Sequence, residues 1–567
     1  MVYTSDDERC LNPNETLGMD EACLSILNDQ DAPARVFSYV NSCGACDGLP
    51  FANLSANSNT TLVVPTCYPM HMYYTVGDLQ WCHNSYTFVQ HGHYGWNFTS
   101  RSCSSVYVLE EPSDPYMPIL AMFLVYTSIF AIYHMMTQVY YALKRLRARR
   151  ADDQSDLATL QDPEPSPPPQ LVSISRSSTR IHSIDTFRGI ATLMMIFVNN
   201  GGGKYVFFNH SPWYGLTVAD LVLPWFAWIM GLTLVVSLRT QLRISVSRPR
   251  IILRTLRRSL LLVLFGLIIN SSRESALADL RFPGVLQLLG ITYFMCATIE
   301  GVFMKAQRNF QYGRFMFLQD ILDCWPQWII VAALTATHTL ITFLLNVPGC
   351  PTGYFGPGGY SLRAKYVNCT GGAAGYIDRL VFGSHIYNKT ENPIYGHTLP
   401  HDPEGLMNTL SAVLFVALGV QAGRILLCYY LHLYSKMLRW LSWAAVTGIA
   451  AGFLCDWSLE NGVIPLSKNM MTLSFVLLTS SFAFILFAIL FYLIDHKRIW
   501  NGAPFVYAGM NPIFLYMGHY LTMNHFPWAW KIVNQTHSSL LYMNLWTTTL
   551  WGLIAYGLYR KNIIVTI

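Results

Sequence analysis

His210 and Asp220 stand ten residues apart, each among apolar residues. Ionisable side chains are costly in such stretches and usually mark function. An imidazole beside a buried carboxylate is an acid–base pair: the carboxylate orients the ring, and the far nitrogen exchanges a proton near neutral pH. The same ring is also a nucleophile able to carry an acyl group. Asn199 opens Asn199-Asn-Gly-Gly-Gly-Lys204 at the end of the preceding apolar run. Three glycines there are expected to expose backbone donors and admit a ligand closely. The run is no phosphate-binding loop, because Tyr205 follows Lys204 where such a loop needs Ser or Thr. Asp185 and Arg188 are three apart on one helix face, an ion pair at the membrane boundary. Asn511 and His519 are eight apart on one face of a later run, and Pro512 between them suggests a kinked helix lining a cavity. His338 reads as a packed histidine. No zinc spacing, serine elbow or dinucleotide fingerprint is present, so no metal is expected.

The elements that must position these groups are membrane helices. Of 567 residues, 52% are hydrophobic and only 12% charged, against about 25% charged in soluble domains. Apolar runs near 20 residues long recur, the length that crosses a bilayer core. The chain therefore reads as a polytopic α-helical membrane protein of about eleven transmembrane helices, which excludes disorder, a fibre or a small soluble enzyme. The first span covers about 117–141, and ten more lie near 186–207, 216–238, 254–272, 284–304, 327–346, 407–426, 439–456, 470–494, 503–522 and 541–559. A net charge of +5 gives no reason to expect nucleic acid. The positive residues instead cluster beside spans, at Lys144–Arg150 and from Arg239 and Arg243 to Arg258, marking the cytosolic side.

Residues 1–115 form the expected first domain, small, β-rich and lumenal, with β-prone stretches at Tyr86–Gln90 and Val106–Leu109. It holds seven cysteines and sequons at Asn14, Asn53, Asn59 and Asn97, the usage of an oxidising compartment. Cys43-Gly-Ala-Cys46 fits a disulfide framework better than a redox or zinc motif, and seven is odd, so one thiol is free or pairs elsewhere. The polar start Met1-Val-Tyr-Thr lacks a signal peptide, so a processed or incomplete start is expected. A transmembrane helix follows at 116–142 and a Pro/Ser-rich disordered cytosolic linker at 143–182. A ten-helix domain occupies 183–567, with a long lumenal loop at 347–406. That loop carries Asn368 and Asn388 sequons, and 523–540 carries Asn534, all on the lumenal side of the span count. Cys350 and Cys369 either close the loop or tie it to the odd N-terminal cysteine.

Several segments in order carry a resemblance. They are Arg180-Ile-His-Ser-Ile-Asp-Thr-Phe-Arg-Gly189, Asn199-Asn-Gly-Gly-Gly203, Asn209-His-Ser-Pro-Trp213, Thr217-Val-Ala-Asp-Leu-Val-Leu-Pro-Trp225, Pro283-Gly-Val-Leu-Gln287, Asp402-Pro-Glu-Gly405 and Gly509-Met-Asn511. Together they resemble the heparan-α-glucosaminide N-acetyltransferase family across nearly all of 180–567. The resemblance implies a homodimeric lysosomal membrane enzyme, embedded in lipid, that acetylates terminal glucosamine of heparan sulfate from cytosolic acetyl-CoA. It implies His210 as the active-site histidine and Asn199 as the proposed catalytic asparagine; among the catalytic residues Asp220 is also expected, with either Asp220 or Asn199 orienting His210. Acetyl-CoA phosphates are then expected at Arg239, Arg243 and Arg281, and Asp185, Arg188, Asn511 and His519 are expected along the donor site. Leu288 stands where the family often has Arg, which makes Arg281 the nearest replacement. Direct transfer with His210 as base is favoured over an acetyl-histidine intermediate. The rival class is a proton-coupled organic-anion transporter, whose internal repeats are not found in the sequence.

Overall fold

The computed structural model describes residues 8–565 apart from 12–16, 41–42, 44–45, 47, 78, 100–101, 160–179, 273–278, 305–318, 393 and 429–431. The chain divides into two compact units, Met1–Ser113 with His182–Ile567, and Asp114–Ile181.

Alternating apolar residues in the N-terminal region build eight strands: β1 Glu21–Asn28, β2 Ala34–Val40, β3 Leu49–Leu54, β4 Ser58–Pro65, β5 Met70–Val76, β6 Leu79–Tyr86, β7 His93–Phe98 and β8 Tyr107–Glu110. They form two four-stranded sheets, ordered β4-β1-β7-β8 and β3-β2-β5-β6. All pairs are antiparallel except β1 with β7. The residues of period two, such as Ala22, Leu24 and Ile26, bury one core with Tyr74, Trp96 and Phe98. The stretch expected as a strand at Tyr86–Gln90 is instead the end of β6 and the turn after it. Cys10–Cys23, Cys43–Cys46 and Cys82–Cys103 are bonded, as is Cys350–Cys369, while Cys67 is the odd, free thiol.

The second unit holds helix α1, Met117–Thr159. The linker expected from 143 is thus helical up to Thr159, because Ala, Leu, Arg and Gln in 142–157 favour helix. The proline-rich part of that linker, 160–179, lies outside the described residues, as does the Asn14 sequon. Asn53, Asn59, Asn368, Asn388 and Asn534 are exposed, and Asn97 is half-buried.

The membrane part contains α2 His182–Asn199, α3 Val222–Arg243, α4 Arg248–Ser271, α5 Val285–Phe303, α6 Trp325–Leu344, α7 Gly372–Phe382, α8 Leu406–Cys428, α9 Leu433–Leu454, α10 Leu473–Leu490, α11 Phe505–Met510, α12 Pro512–Thr522 and α13 His537–Arg560. Among the described residues, seven helices are long and apolar enough to cross a bilayer: α1, α3, α5, α6, α8, α9 and α10. The polytopic membrane class therefore stands. The remaining expected spans fall on α2, α4, α13 and the broken pair α11–α12. Pro512 cannot continue a helix from Met510, so Asn511 leaves helical geometry at φ −128°, ψ 49°.

Much of the basic stretch expected as a loop is helix, since α4 starts at Arg248 with Pro249 in its first turn. Arg248 caps α5 through the carbonyls of Gly301 and Met304 at 2.9 and 3.1 Å. Arg258 lies 5.1 Å over the Tyr293 ring. Arginine stems tolerate a membrane boundary because their heads snorkel to water.

Small residues let helices meet backbone to backbone. A Cβ at Gly419 of α8 would stand 1.9 Å from the Trp228 carbonyl oxygen of α3, and one at Gly231 would stand 2.0 Å from the Val416 oxygen. Gly189 of α2 and Gly509 of α11 make the same kind of contact, at 1.8 and 1.7 Å from opposing carbonyl oxygens. Within α8, buried Arg424 pairs with Glu300, and Gln421 donates to Asp320 at 2.6 Å, itself paired with Arg439 at 3.3 Å. The β-domain rests on the membrane part at two places. Cys43 and Cys46 pack with Trp213, Tyr395 and Met470, and Asp20 receives His537 Nε2 at 2.9 Å.

Candidate active site

His210 leaves the short turn Val206–Phe208 in extended backbone just ahead of Pro212, and Asp220 sits in the single turn that leads into α3. Folding these ten residues back on themselves brings His210 Nδ1 to 2.7 Å from Asp220 Oδ1. Asp220 Oδ2 accepts from the Ser211 and Thr217 amides, both at 3.2 Å, and from the Thr217 hydroxyl at 3.0 Å. The carboxylate is thus an acceptor for the whole loop, fully buried, while the histidine side chain remains 50% exposed. Asp220 can therefore orient the ring but cannot meet a substrate. Its partner, Nδ1, must carry the hydrogen, which leaves the Nε2 lone pair for chemistry.

Asn199 ends α2 on the same cavity. Its Nδ2 donates to His519 Nε2 at 3.1 Å and to the Tyr520 hydroxyl at 3.2 Å. His519 Nδ1 in turn donates to the Leu515 carbonyl at 3.2 Å, so the tautomer is consistent along the chain. The amide is fixed with both donors spent, and its carbonyl oxygen remains as an acceptor.

His210 and Asn199 line one cavity of about 550 Å³, within the range of about 300–1,000 Å³ for small-molecule sites. Its walls come from α2, α3, the start of α5 and α12, and from the 347–406 loop through Tyr387 and Glu404. Arg281 forms another wall. Its guanidinium meets Asp402 at 2.7 and 2.5 Å and Glu404 at 2.5 Å. Burial would raise the Asp402 carboxyl, but the hydrogen bond and charge of Arg281 outweigh it and hold it below the ordinary range. One cation between two carboxylates leaves this corner net negative, with Glu404 on the cavity face.

Lys468 and Asn469 close the remaining side. Their segment docks along the histidine loop. Gly215 N–H donates to the Leu466 carbonyl at 2.9 Å, Ser467 Oγ to the Trp213 carbonyl at 2.9 Å, and Asn469 Nδ2 to the Pro212 carbonyl at 3.4 Å. Lys468 Nζ comes within 3.2 Å of both His210 ring nitrogens. Neither Lys468 nor Glu404 was assigned a role from sequence. Glu404 belongs to the Asp402–Gly405 segment that carries the resemblance, whereas nothing in the sequence marks Lys468.

Other expected residues lie elsewhere. The glycine run adopts left-handed backbone at Gly201, Gly202 and Gly203, with φ +107°, +55° and +69°. It meets α13 rather than a ligand: Asn544 donates to the Asn200 carbonyl and His537 Nδ1 to the Gly203 carbonyl. Asn511 pins the C-terminal tail, donating to the Ile563 carbonyl at 3.0 Å and accepting from Val565 N–H at 2.8 Å. The break at Pro512 rotates it away from His519, so the two do not share one continuous face. Arg188 bonds the Gly509 carbonyl at 3.2 Å and pairs with Asp185 at 3.6 Å, within the α2–α11 contact. Arg239 and Arg243 end α3, on the opposite end of that helix from Asp220, about 30 Å away at 1.5 Å rise per residue.

The chain is 38% identical over 516 residues to the Homo sapiens heparan-α-glucosaminide N-acetyltransferase, an alignment covering 86% of this chain and 78% of the human protein. It is 36% identical over 587 residues to the Mus musculus protein of the same name, covering 97% and 89%. No family model matches.

Proposed function

Since the chain belongs to the heparan-α-glucosaminide N-acetyltransferase family and is thus an N-acetyltransferase, we propose that it passes acetyl from cytosolic acetyl-CoA to the amine of a terminal glucosamine of heparan sulfate. The observation that carries this reading is the His210–Asp220 pair opening on the cavity shared with Asn199. In it the acceptor enters from the lumen as an ammonium, drawn to Glu404 on the net-negative wall, and releases one proton to lumenal water to become the free amine. His210 Nε2 takes the proton as the amine nitrogen attacks the thioester carbon, and Asp220 stabilises the imidazolium that forms. Asn199 Oδ1 accepts a remaining N–H and aligns the lone pair. The tetrahedral intermediate expels CoA thiolate, which regains a proton from His210, leaving an amide and free CoA.

The donor's phosphates stay at the cytosolic end, near Arg239 and Arg243, while its thioester reaches the cavity between α2, α3 and α12. Arg281 belongs to the acceptor side in this reading, because Asp402 and Glu404 already neutralise it. A lysosomal membrane setting, a lumenal N-terminus, a cytosolic C-terminus and a homodimer complete the proposal. The exposed sequons at Asn53, Asn59, Asn368 and Asn388 support the orientation.

The test is His210→Ala with radiolabelled acetyl-CoA in purified enzyme. Transfer to glucosamine is expected to fall to background while the protein keeps its melting temperature. Wild type incubated with donor alone is expected to carry no protein-bound acetyl. Label on His210 would replace direct transfer with a covalent route, and transfer by the alanine variant at the wild-type rate would remove His210 from the chemistry.

A further inference from the structure

Lys468 occupies a place the mechanism above does not use. Its Nζ lies 3.2 Å from each ring nitrogen of His210. Nδ1 has no lone pair to offer, because its hydrogen goes to Asp220 at 2.7 Å. The ammonium can therefore donate only to Nε2, the lone pair that must receive the proton of the amine. With the lysine there, the base is capped. Among the described residues Lys468 makes no direct salt bridge, its charge acting on Asp220 from across the His210 ring, whereas Arg281, the other permanent cation of the cavity wall, is bonded directly to Asp402 and Glu404. On both sides of Lys468 the segment is bonded to the histidine loop, through the Leu466 carbonyl and the Ser467 and Asn469 side chains, so the lysine stem is left to pivot.

We propose that Lys468 senses an anion on the acceptor: a carboxylate or sulfate on the sugar next to the terminal glucosamine draws the ammonium off His210 Nε2 and uncaps the base. The proposal rests on the reading of His210 as the base and of the acceptor as a polyanionic saccharide. It makes Lys468 a positioning and specificity residue. A direct charge-assisted contact to the anion replaces a hydrogen bond to a neutral ring and a longer-range attraction to Asp220 across it, so the exchange is favourable. A small neutral acceptor offers no such replacement and must compete with the lysine.

The experiment compares wild type, Lys468→Met and Lys468→Arg on three acceptors: free glucosamine, a glucosamine–uronate disaccharide, and the same disaccharide 2-O-sulfated. Wild type is expected to prefer both disaccharides in kcat/KM, and the methionine variant to lose that preference about tenfold. The loss has two parts: kcat on free glucosamine rises as the base is uncapped, and KM for the disaccharides rises as the anion loses its partner. Arginine restores the preference. Stimulation by sulfation alone assigns the anion to the sulfate, and preference for both disaccharides assigns it to the carboxylate. A methionine variant that falls by one factor on all three acceptors overturns the proposal and leaves the acetyltransferase reading intact. Absence of transfer by wild type to any of the three overturns that reading itself.

Discussion

Asp220 spends both oxygens on four donors, from His210, Ser211 and the amide and hydroxyl of Thr217. An asparagine of the same size would turn an NH2 group toward at least one of those donors. Asp220→Asn is therefore expected to lower kcat by about 10² to 10⁴, with a smaller change in the KM for acetyl-CoA. Steady-state kinetics check this, and a variant within twofold of wild type would deny the carboxylate its orienting role. At this scale the sequence was informative where polarity was out of place. His210, Asp220, Asn199 and His519 interrupt apolar runs, and all four stand at the site or directly behind it. Lys468 was illegible because a lysine in a loop between apolar runs is ordinary, and only the docking of 466–469 on 212–215 brings it to His210. Asn511 shows what the sequence leaves out: an intramembrane asparagine draws the eye, and only the fold reveals that its amide holds Ile563 and Val565.

Helices α3 and α8 touch through glycine at Trp228 and Gly231, two to three turns along the helix that Asp220 leads into. A valine at Gly419 would drive its Cβ into the Trp228 carbonyl, 1.9 Å away. Overpacking of this kind costs about 1–3 kcal/mol, so Gly419→Val is expected to lower the melting temperature in detergent and the activity together. Gly557→Ala is the matched control, since α13 is open there with no atom within 4 Å. It is expected to be neutral or to gain up to about 1 kcal/mol from helix propensity. Equal losses in both would exclude close packing as the cause. Hydropathy was enough to find these helices, because a bilayer demands a long apolar run. It could not find the helical start of α4 at Arg248, where arginine heads reach back to water, nor the continuation of α1 to Thr159, which depends on helix propensity alone.

At the scale of the whole molecule, one buried carboxyl in the 347–406 loop ties folding to pH. Burial pushes the Asp378 carboxyl up to about 7, above what amide bonds from Met407 and Leu406 can offset, and nearby Asp402 adds to the rise. An unfolded aspartate titrates near about 4. Between about pH 4 and about pH 7 the folded state keeps a proton that the unfolded state has released, so stability falls as pH rises through that window. The slope from this group is at most about 1.4 kcal/mol per pH unit. Asp378→Asn is expected to flatten the melting-temperature profile over that range, and a parallel profile would show that Asp378 ionises without cost. The raised carboxyl was invisible in the sequence, where Asp378 is one acidic residue in a long loop. The twelve per cent of charged residues in the chain identified the membrane, and the fold then sorted the exceptions into chemistry, helix contacts and proton binding. Helix α3 joins two of those uses, with Asp220 just before one end and Arg239 and Arg243 at the other. A rigid rod with a base-orienting carboxylate at one membrane face and cations at the other is matched to one hydrocarbon thickness. In a thicker or thinner bilayer the helix must tilt or the lipid must deform, so lipid chain length becomes a control on how Asp220 is set relative to Arg239 and Arg243.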